Sequence, residues 1–143
     1  MTSTPLARGA RPFRVRAEDG EDLTIAAAHL QDAVATVGDV AFLPDERRFA
    51  MVVSRFRWEA GATDRVHTAV VVNAVSAVRR RGISLDRPEA LLNLLTIEAG
   101  EGHIDLVFSG RATIRLVTDR IDCVFEDVGE TWPTMFRPAH ALE

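Results

Sequence analysis

The residues with the clearest capacity for chemistry in this sequence are arginines. The chain contains 17 arginines and no lysine, and several arginines lie close together, some of them beside aromatic rings. A planar guanidinium binds phosphates and carboxylates, and an aromatic side chain stacks on bases or on the rings of a partner. These features predict a surface for an acidic protein or for RNA, and a solvated strand face is the alternative. The predicted binding residues are Arg55, Arg57, Trp58, Arg79, Arg80 and Arg81.

A second group of polar side chains lies on a predicted strand near residue 103. Glu101, His103 and Asp105 alternate along this strand, and Glu98 and Asp119 are predicted to lie opposite His103 on the neighbouring strands. Carboxylates around an imidazole form a donor set that suits a divalent cation. The same residues also fit a solvated face, on which Arg115 lies diagonal to Asp105 and forms an ordinary cross-strand ion pair. The solvated face is the preferred interpretation, so no metal ligand is predicted.

Candidates for catalysis are few. His29 and Asp32 are three residues apart on a predicted helix and could orient an imidazole for acid–base chemistry. No nucleophile is tied to them by sequence, so a hydrogen bond on the helix surface is the preferred interpretation. The sequence lacks the motifs of phosphate-binding loops, dinucleotide sites, zinc proteases, serine hydrolases and dithiol sites. These observations favour a protein that is not an enzyme, with no catalytic residue and no cofactor.

The composition is that of an ordinary globular domain. At 143 residues, with 47% hydrophobic and 27% charged side chains, the chain is long enough for one core. Residues 11–129 are predicted to form this domain, residues 1–10 a mobile tail and residues 130–143 an extended C-terminal tail. No apolar run reaches the ~18 residues of a membrane span, and the first residues do not resemble a signal peptide, so a cytoplasmic protein is predicted.

The net charge and the positions of the acidic residues indicate which partner is favoured, and the single cysteine is predicted to have a packing role. The net charge of −4 argues against nucleic acid. Acidic residues concentrate between Asp119 and Glu130, so the acidic last strand and a basic first hairpin are predicted to face each other or a second copy. Cys123 is the single cysteine, and it is predicted to pack as a small apolar side chain.

An amphipathic helix is predicted near the N-terminus. Leu23, Ala26, Ala27 and Leu30 recur at the spacing of one helix face. Asp19 precedes this run and is a suitable N-cap residue. The helix is expected to cover one opening of the sheet that follows.

The element with the clearest sequence signal is a hairpin around Pro44. Proline presets the backbone angle of a type I turn, and strand-like residues lie on both sides of it. If Phe42 is opposite Phe49, then Val40 is opposite Met51 and these side chains share one face. That face is predicted to be core.

The same alternation creates a difficulty further along the second strand of the hairpin. It would turn Arg55 and Arg57 inward, where neither charge has an evident partner. A bulge near Ser54 would shift the side chains by one residue. We therefore predict that both arginines are exposed and that Phe56 and Trp58 are buried.

The remaining strands complete an α+β fold. The strand-like residues 66–81 are too long for one straight strand, so a bend is predicted at Asn73-Ala74. Ile97 is predicted opposite Ile104, and a corner or bulge is expected near Thr118-Asp119. The result is a curled, mainly antiparallel sheet of about seven strands, a half-barrel or a sandwich. The predicted core residues are Phe42, Phe49, Met51, Leu95, Ile97, Ile104, Leu106, Phe108, Ile114 and Leu116.

Three stretches resemble a known family. The run HLQDAVATVGDVAFLPDERRFAMVVSRFRWE, the RRRGI that follows it, and the ending from GRATIRL to EDVGETWPTMFRPAH resemble an uncharacterised bacterial family, a domain of unknown function. The similarity covers roughly residues 22 to 140. It implies small cytoplasmic proteins, often encoded beside histidinol dehydrogenase, with no assigned activity or cofactor.

Two classes of function follow from the sequence. The first is a non-catalytic interaction module that binds a protein partner, a second copy or RNA through an arginine-rich sheet edge. The alternative is a small-ligand or enzymatic pocket in the mouth of the half-barrel. A flat apolar patch on the outside would favour the first class, and an internal cavity lined by polar groups would favour the second.

Overall fold

The computed structural model describes residues 13–57 and 65–128. The two predicted tails, residues 1–10 and 130–143, and the predicted binding residue Trp58 lie outside these ranges. One α-helix, α1, spans Gly20–His29. The strands are β1 Arg14–Ala17, β2 Val34–Thr36, β3 Val40–Leu43, β4 Arg48–Phe56, β5 Arg65–Val72, β6 Val75–Arg81, β7 Leu91–Gly100, β8 His103–Phe108, β9 Ala112–Thr118 and β10 Cys123–Val128.

The strands form one open, antiparallel sheet in the order β1-β10-β5-β4-β2-β7-β8-β9-β6, with β3 also paired to β4. The combination of one helix with an antiparallel sheet confirms the predicted α+β class. The predicted number of about seven strands is wrong, because the described residues form ten. Short strands such as β2, with three residues, carry too few side chains to show an alternating pattern.

The chain changes direction at two corners, and both lie where the sequence predicted a bend or corner. Strand β5 ends at Val72 and β6 begins at Val75, and Ala74 between them has a φ of 61°. Strand β9 ends at Thr118, and the chain then crosses to β10 at the other end of the sheet. The backbone at the first corner is held by Asn73 N–H, which donates to the carbonyl of Asp122 at 2.8 Å.

Helix α1 begins where the capping pattern predicts. The Asp19 carboxylate accepts a hydrogen bond from the backbone N–H of Asp22 at 2.8 Å, which satisfies one of the open donors of the first turn. Leu23, Ala26 and Ala27 face inward and are buried. The helix packs against β1 and β7, which lie far apart in the strand order.

The β3–β4 hairpin has the predicted register. Phe42 pairs with Phe49 and Val40 with Met51. The β4–β5 ladder then continues without interruption past Ser54, so the predicted bulge at this position is wrong. Alternation along β4 is regular, and Arg55 therefore points inward.

The core contains most of the residues predicted for it. Leu95 was predicted to be buried but is 45% exposed, because a bulge between Leu94 and Thr96 interrupts its alternation. Phe42 is half-buried. The predicted core residues that are buried are Phe49, Met51, Ile97, Ile104, Leu106, Phe108, Ile114 and Leu116.

The register between β7 and β8 differs from the predicted one by two residues. Ile97 pairs with Leu106, and Ile104 pairs with Ala99. A shift of two residues keeps every side chain on its face, which explains why Ile97 and Ile104 are still buried. Among the described residues, no helix is long and apolar enough to cross a membrane.

Candidate functional site

The structure separates the arginines that were predicted to act together. Arg79, Arg80 and Arg81 are exposed on β6, the last strand in the order of the sheet. Arg55 lies in β4 and is fully buried, so the prediction that it is exposed is wrong. Arg57 is half-buried just after β4. Of the predicted binding residues that the structure describes, the three arginines of β6 are the ones that are exposed and lie together.

The arginines of β6 line a surface cleft of about 400 Å³. Strand β6 pairs with β9, which adds Thr113 and Arg115 to the lining, and β8 adds Asp105. Register places Arg79 directly opposite Arg115 and Arg81 opposite Thr113, so these side chains share one face of the sheet.

Charges are ordered across this face. A row of directly paired residues runs from β7 to β6 through Glu98, Asp105, Arg115 and Arg79. Its two acids lie towards the interior of the sheet, and its two arginines lie towards the edge. Like charges directly opposite each other on neighbouring strands repel, so the Arg79–Arg115 contact is unfavourable unless an anion lies nearby.

Asp105 supplies such an anion to Arg115. Arg115 Nε donates to Asp105 Oδ1 at 2.8 Å, and Nη2 donates to Oδ2 at 2.9 Å. This hydrogen bond is the main reason that the pKa of Asp105 is lowered and the pKa of Arg115 is raised. In the described residues, no ion pair is present for Arg79, Arg80 or Arg81. The guanidinium groups of β6 therefore have no carboxylate partner among the described residues.

The three candidates for a metal site do not form one. His103 pairs with Gly100 and Val117, so the predicted positions of Glu98 and Asp119 opposite it are wrong. Asp105 is bound by Arg115, which is its direct neighbour instead of the predicted diagonal one. Among the described residues, no group of three or more His, Cys, Asp or Glu side chains is placed to hold a metal ion.

Arg55 forms the centre of a buried polar network. Its Nη2 donates to both carboxylate oxygens of Asp127 at 3.0 Å, and its Nε donates to Thr68 Oγ1 at 2.9 Å. The side chains of Arg55 and Asp127 are 0% and 1% exposed. The guanidinium also lies over the ring of Phe13, 4.6 Å from its centroid.

Other donors complete the environment of Asp127. The Thr68 hydroxyl donates to Asp127 Oδ1 at 2.8 Å, and the backbone N–H of Phe13 donates to Oδ2 at 3.0 Å. The network therefore links β4, β5 and β10 with the residue before β1. It joins Arg55 of the predicted basic hairpin to Asp127 of the acidic last strand by one buried ion pair within the chain.

His29 and Asp32 are not joined by a described hydrogen bond. His29 Nδ1 lies 3.1 Å from the carbonyl oxygen of Ile25, and its ring stacks on Phe13. Asp32 has a φ of 66° and donates its backbone N–H to Leu94. His29 therefore packs at the end of the helix, whereas Asp32 is exposed in the turn that follows it.

A second surface groove, of about 500 Å³, lies between α1 and β7. Its lining includes the small side chains of Ala27 and Ala28 and the partly exposed Leu95. It contains no histidine or cysteine among its described lining residues, and Glu98 is its acidic side chain. This groove is one place at which the alternative small-ligand function could act.

Comparison with known proteins identifies a family. Residues 13–140 match the family described as "Protein of unknown function (DUF2948)". The chain belongs to this family. No curated protein and no solved structure matches it. The match confirms the resemblance to a family of unknown function, and the function must be inferred from the chain's own residues.

Sequence reasoning missed two contributors, Arg115 and Asp127. Arg115 was recognised as a partner of Asp105 but not as a neighbour of the β6 arginines, because the β6–β9 pairing joins segments about forty residues apart. Asp127 is 72 residues from Arg55. The available signal was Arg55 itself, since a regular alternation that turns a charge inward predicts a buried counter-charge.

Cys123 is expected to resist thiol reagents in the folded protein. Its side chain is buried, and burial raises its pKa to about 12, with the Asp122 carboxylate adding to the effect. The reactive thiolate is therefore scarce at neutral pH. Labelling with iodoacetamide should be slow in native buffer and rapid in urea. Equal rates in both conditions would contradict the buried position.

Proposed function

We propose that this protein is a non-catalytic interaction module that binds acidic groups of a protein partner at the β6 edge of its sheet. The observation that carries the proposal is the cleft in which Arg79, Arg80 and Arg81 meet Arg115. Four arginines line it, with the Arg79, Arg81 and Arg115 side chains on one face of the sheet, and Asp105 is the acidic residue in its described lining. Such an excess of positive charge at one place attracts carboxylates or phosphates.

The charge arrangement supports a ligand more than a purely protective role. Arginines on an edge strand can prevent unwanted strand pairing without binding anything. Protection does not require Arg115, however, because β9 is an interior strand of the sheet. Asp105 already balances Arg115, so the charge that an anionic ligand would balance is that of Arg79 and its neighbours on β6.

An acidic protein suits this surface better than RNA does. Single-stranded nucleic acid is usually held by aromatic stacking as well as by charge, and the described lining of the cleft has no aromatic residue. The acids Glu98 and Asp105 also lie in the same cross-strand row. A nucleic acid that crossed the face would meet them, whereas a ligand that follows the edge would not.

The proposal also covers the shape of the domain and the compartment in which it acts. The module is a half-barrel formed by one domain over residues 11–129. Supporting this shape, one hydrophobic core includes side chains from strands at both ends of the sheet, such as Ala17 and Val75. The buried free thiol of Cys123 agrees with a reducing compartment, the cytoplasm.

Replacing Arg79, Arg80 and Arg81 together by glutamine is expected to weaken binding of an acidic peptide by at least about tenfold, since each guanidinium lost removes a charge from the cleft. Fluorescence anisotropy of a labelled glutamate-rich peptide measures this change. Wild-type affinity should also fall as salt rises. The fold should be retained, because exposed charges contribute little to stability.

The matched control removes the same number of charges elsewhere. Arg14, Arg87 and Arg120 are exposed and lie outside the cleft, so their joint replacement by glutamine should leave the affinity nearly unchanged. Equal losses in the two triple variants would mean that net charge alone attracts the peptide. Retained binding by the β6 variant would leave the arginines with a protective role at the sheet edge.

A further inference from the structure

We propose that the acidic partner binds to β6 as an additional strand, which extends the sheet by backbone hydrogen bonds. The inference rests on the proposed function and specifies the conformation of the ligand. Strand β6 is the terminal strand of the described sheet and pairs there with β9. Its second edge therefore offers backbone N–H and C=O groups of the kind that extended peptides bind.

The open part of the edge coincides with the arginines. At the start of β6, the backbone N–H of Val75 donates to the carbonyl of Arg47 at 2.9 Å, so this end is already paired. The register of β6 with β9 is irregular between Val75 and Ala77 and is regular from Ala77 to Arg81. A ligand strand of about five residues fits along this regular portion.

The spacing of the charges predicts the sequence of the ligand. Arg79 and Arg81 are two residues apart, so they project from the same face at a separation of about 6 to 7 Å. Residues two apart on an added strand have the same separation and also share a face. The preferred ligand therefore carries Asp or Glu at alternate positions, beside the face that holds Arg115.

The same charges argue against a second copy as the added strand. Pairing of β6 with β6 of another molecule would place arginines against arginines, and directly opposed like charges are destabilising. At the other end of the sheet, Arg14 and Arg16 of β1 already pair with the nearby carboxylates of Glu126, Glu18 and Asp122, so these acids are not free to bind the β6 arginines of a second copy. An acidic segment from a different protein is the partner whose charge is complementary.

The test compares peptides that have the same charge but different backbones. A short labelled peptide that alternates glutamate and valine is prepared unmodified, with N-methyl groups on the glutamates, or with N-methyl groups on the valines. An added strand donates hydrogen bonds along one edge, so alternate residues supply them. One methylated peptide should lose at least about tenfold in affinity, and the other should bind nearly as well as the parent.

The outcomes separate this proposal from the one on which it rests. If both methylated peptides bind like the parent, or both lose affinity equally, strand addition is wrong. Binding of the parent that still depends on Arg79, Arg80 and Arg81 would then preserve the acidic-partner function. If the parent peptide does not bind at all, both proposals fail. Tighter binding of oligouridylate than of the parent peptide would favour RNA and overturn both.

Discussion

Replacing Asp127 by alanine is expected to lower the free energy of unfolding by about 3 to 5 kcal/mol, which is a large share of the stability of a small domain. The change leaves the Arg55 guanidinium buried at 0% exposure without its carboxylate. It also removes the acceptor for the Thr68 hydroxyl and for the backbone N–H of Phe13. Urea denaturation, followed by tryptophan fluorescence or circular dichroism, measures the loss.

Two further variants show whether the loss comes from the buried charge. Asp105→Asn weakens a partly exposed ion pair with Arg115 and should cost much less. The double variant Arg55→Met/Asp127→Leu removes both buried charges and should recover most of the stability, because apolar side chains of similar size can replace a buried ion pair. A loss at Asp127→Ala no larger than at Asp105→Asn would contradict the buried network.

The second large effect is expected in the apolar core. Truncation of Phe49 or Phe108 to alanine should cost about 3 to 5 kcal/mol each, from lost burial and from the cavity that remains. Phe49 is 0% and Phe108 is 2% exposed. Phe49 lies in β4 and Phe108 in β8, which are not neighbours in the sheet. Both side chains contribute to the same core cluster.

Leu95 provides the control for the core prediction. It is 45% exposed because of the bulge in β7, so its replacement by alanine should change stability by about 0.5 kcal/mol or less. The measurement is again urea denaturation. The slope of the unfolding free energy against urea concentration should be the same in all variants. Comparable losses at Leu95 and Phe108 would mean that the β7 bulge is misplaced.

Features encoded by neighbouring residues were predictable from the sequence. Helix α1 has its cap residue three positions before the residue that it binds, and the β3–β4 hairpin has its turn between its two strands. The corner at Asn73-Ala74 followed from the length of the strand-like run alone. Each of these features depends on a short segment whose pattern has one physical interpretation.

Features that depend on distant residues were not predictable. The bulge proposed at Ser54 replaced a simpler solution, in which Arg55 points inward and meets Asp127. The regular alternation of side chains in β4 indicated that Arg55 points inward. It could not identify Asp127 as the partner, because Asp127 lies in the last described strand. The real bulge, at Leu95, lies in the segment from Leu91 to Ile97, where leucines occur at adjacent positions and therefore on both faces, so alternation gives no signal of its position.

The buried position of Arg55 determines which arginines can be replaced in a binding experiment. A variant that combined Arg55 with the β6 arginines would break the buried network, and loss of binding would then reflect unfolding. Restricting the substitutions to Arg79, Arg80 and Arg81 separates recognition from stability, because these side chains are exposed. Positions that stabilise the fold and positions proposed to bind a partner therefore belong to different parts of the sheet.

The most direct test of the proposed binding surface is a titration of the ¹⁵N-labelled protein with the alternating glutamate–valine peptide, followed by heteronuclear NMR. We expect the largest shift changes at the backbone amides of Ala77 to Arg81, with smaller changes at Thr113 and Arg115, which line the same cleft. These changes should disappear in the triple glutamine variant. Largest changes at any other surface, or none at all, would contradict the assignment of the β6 edge as the binding site.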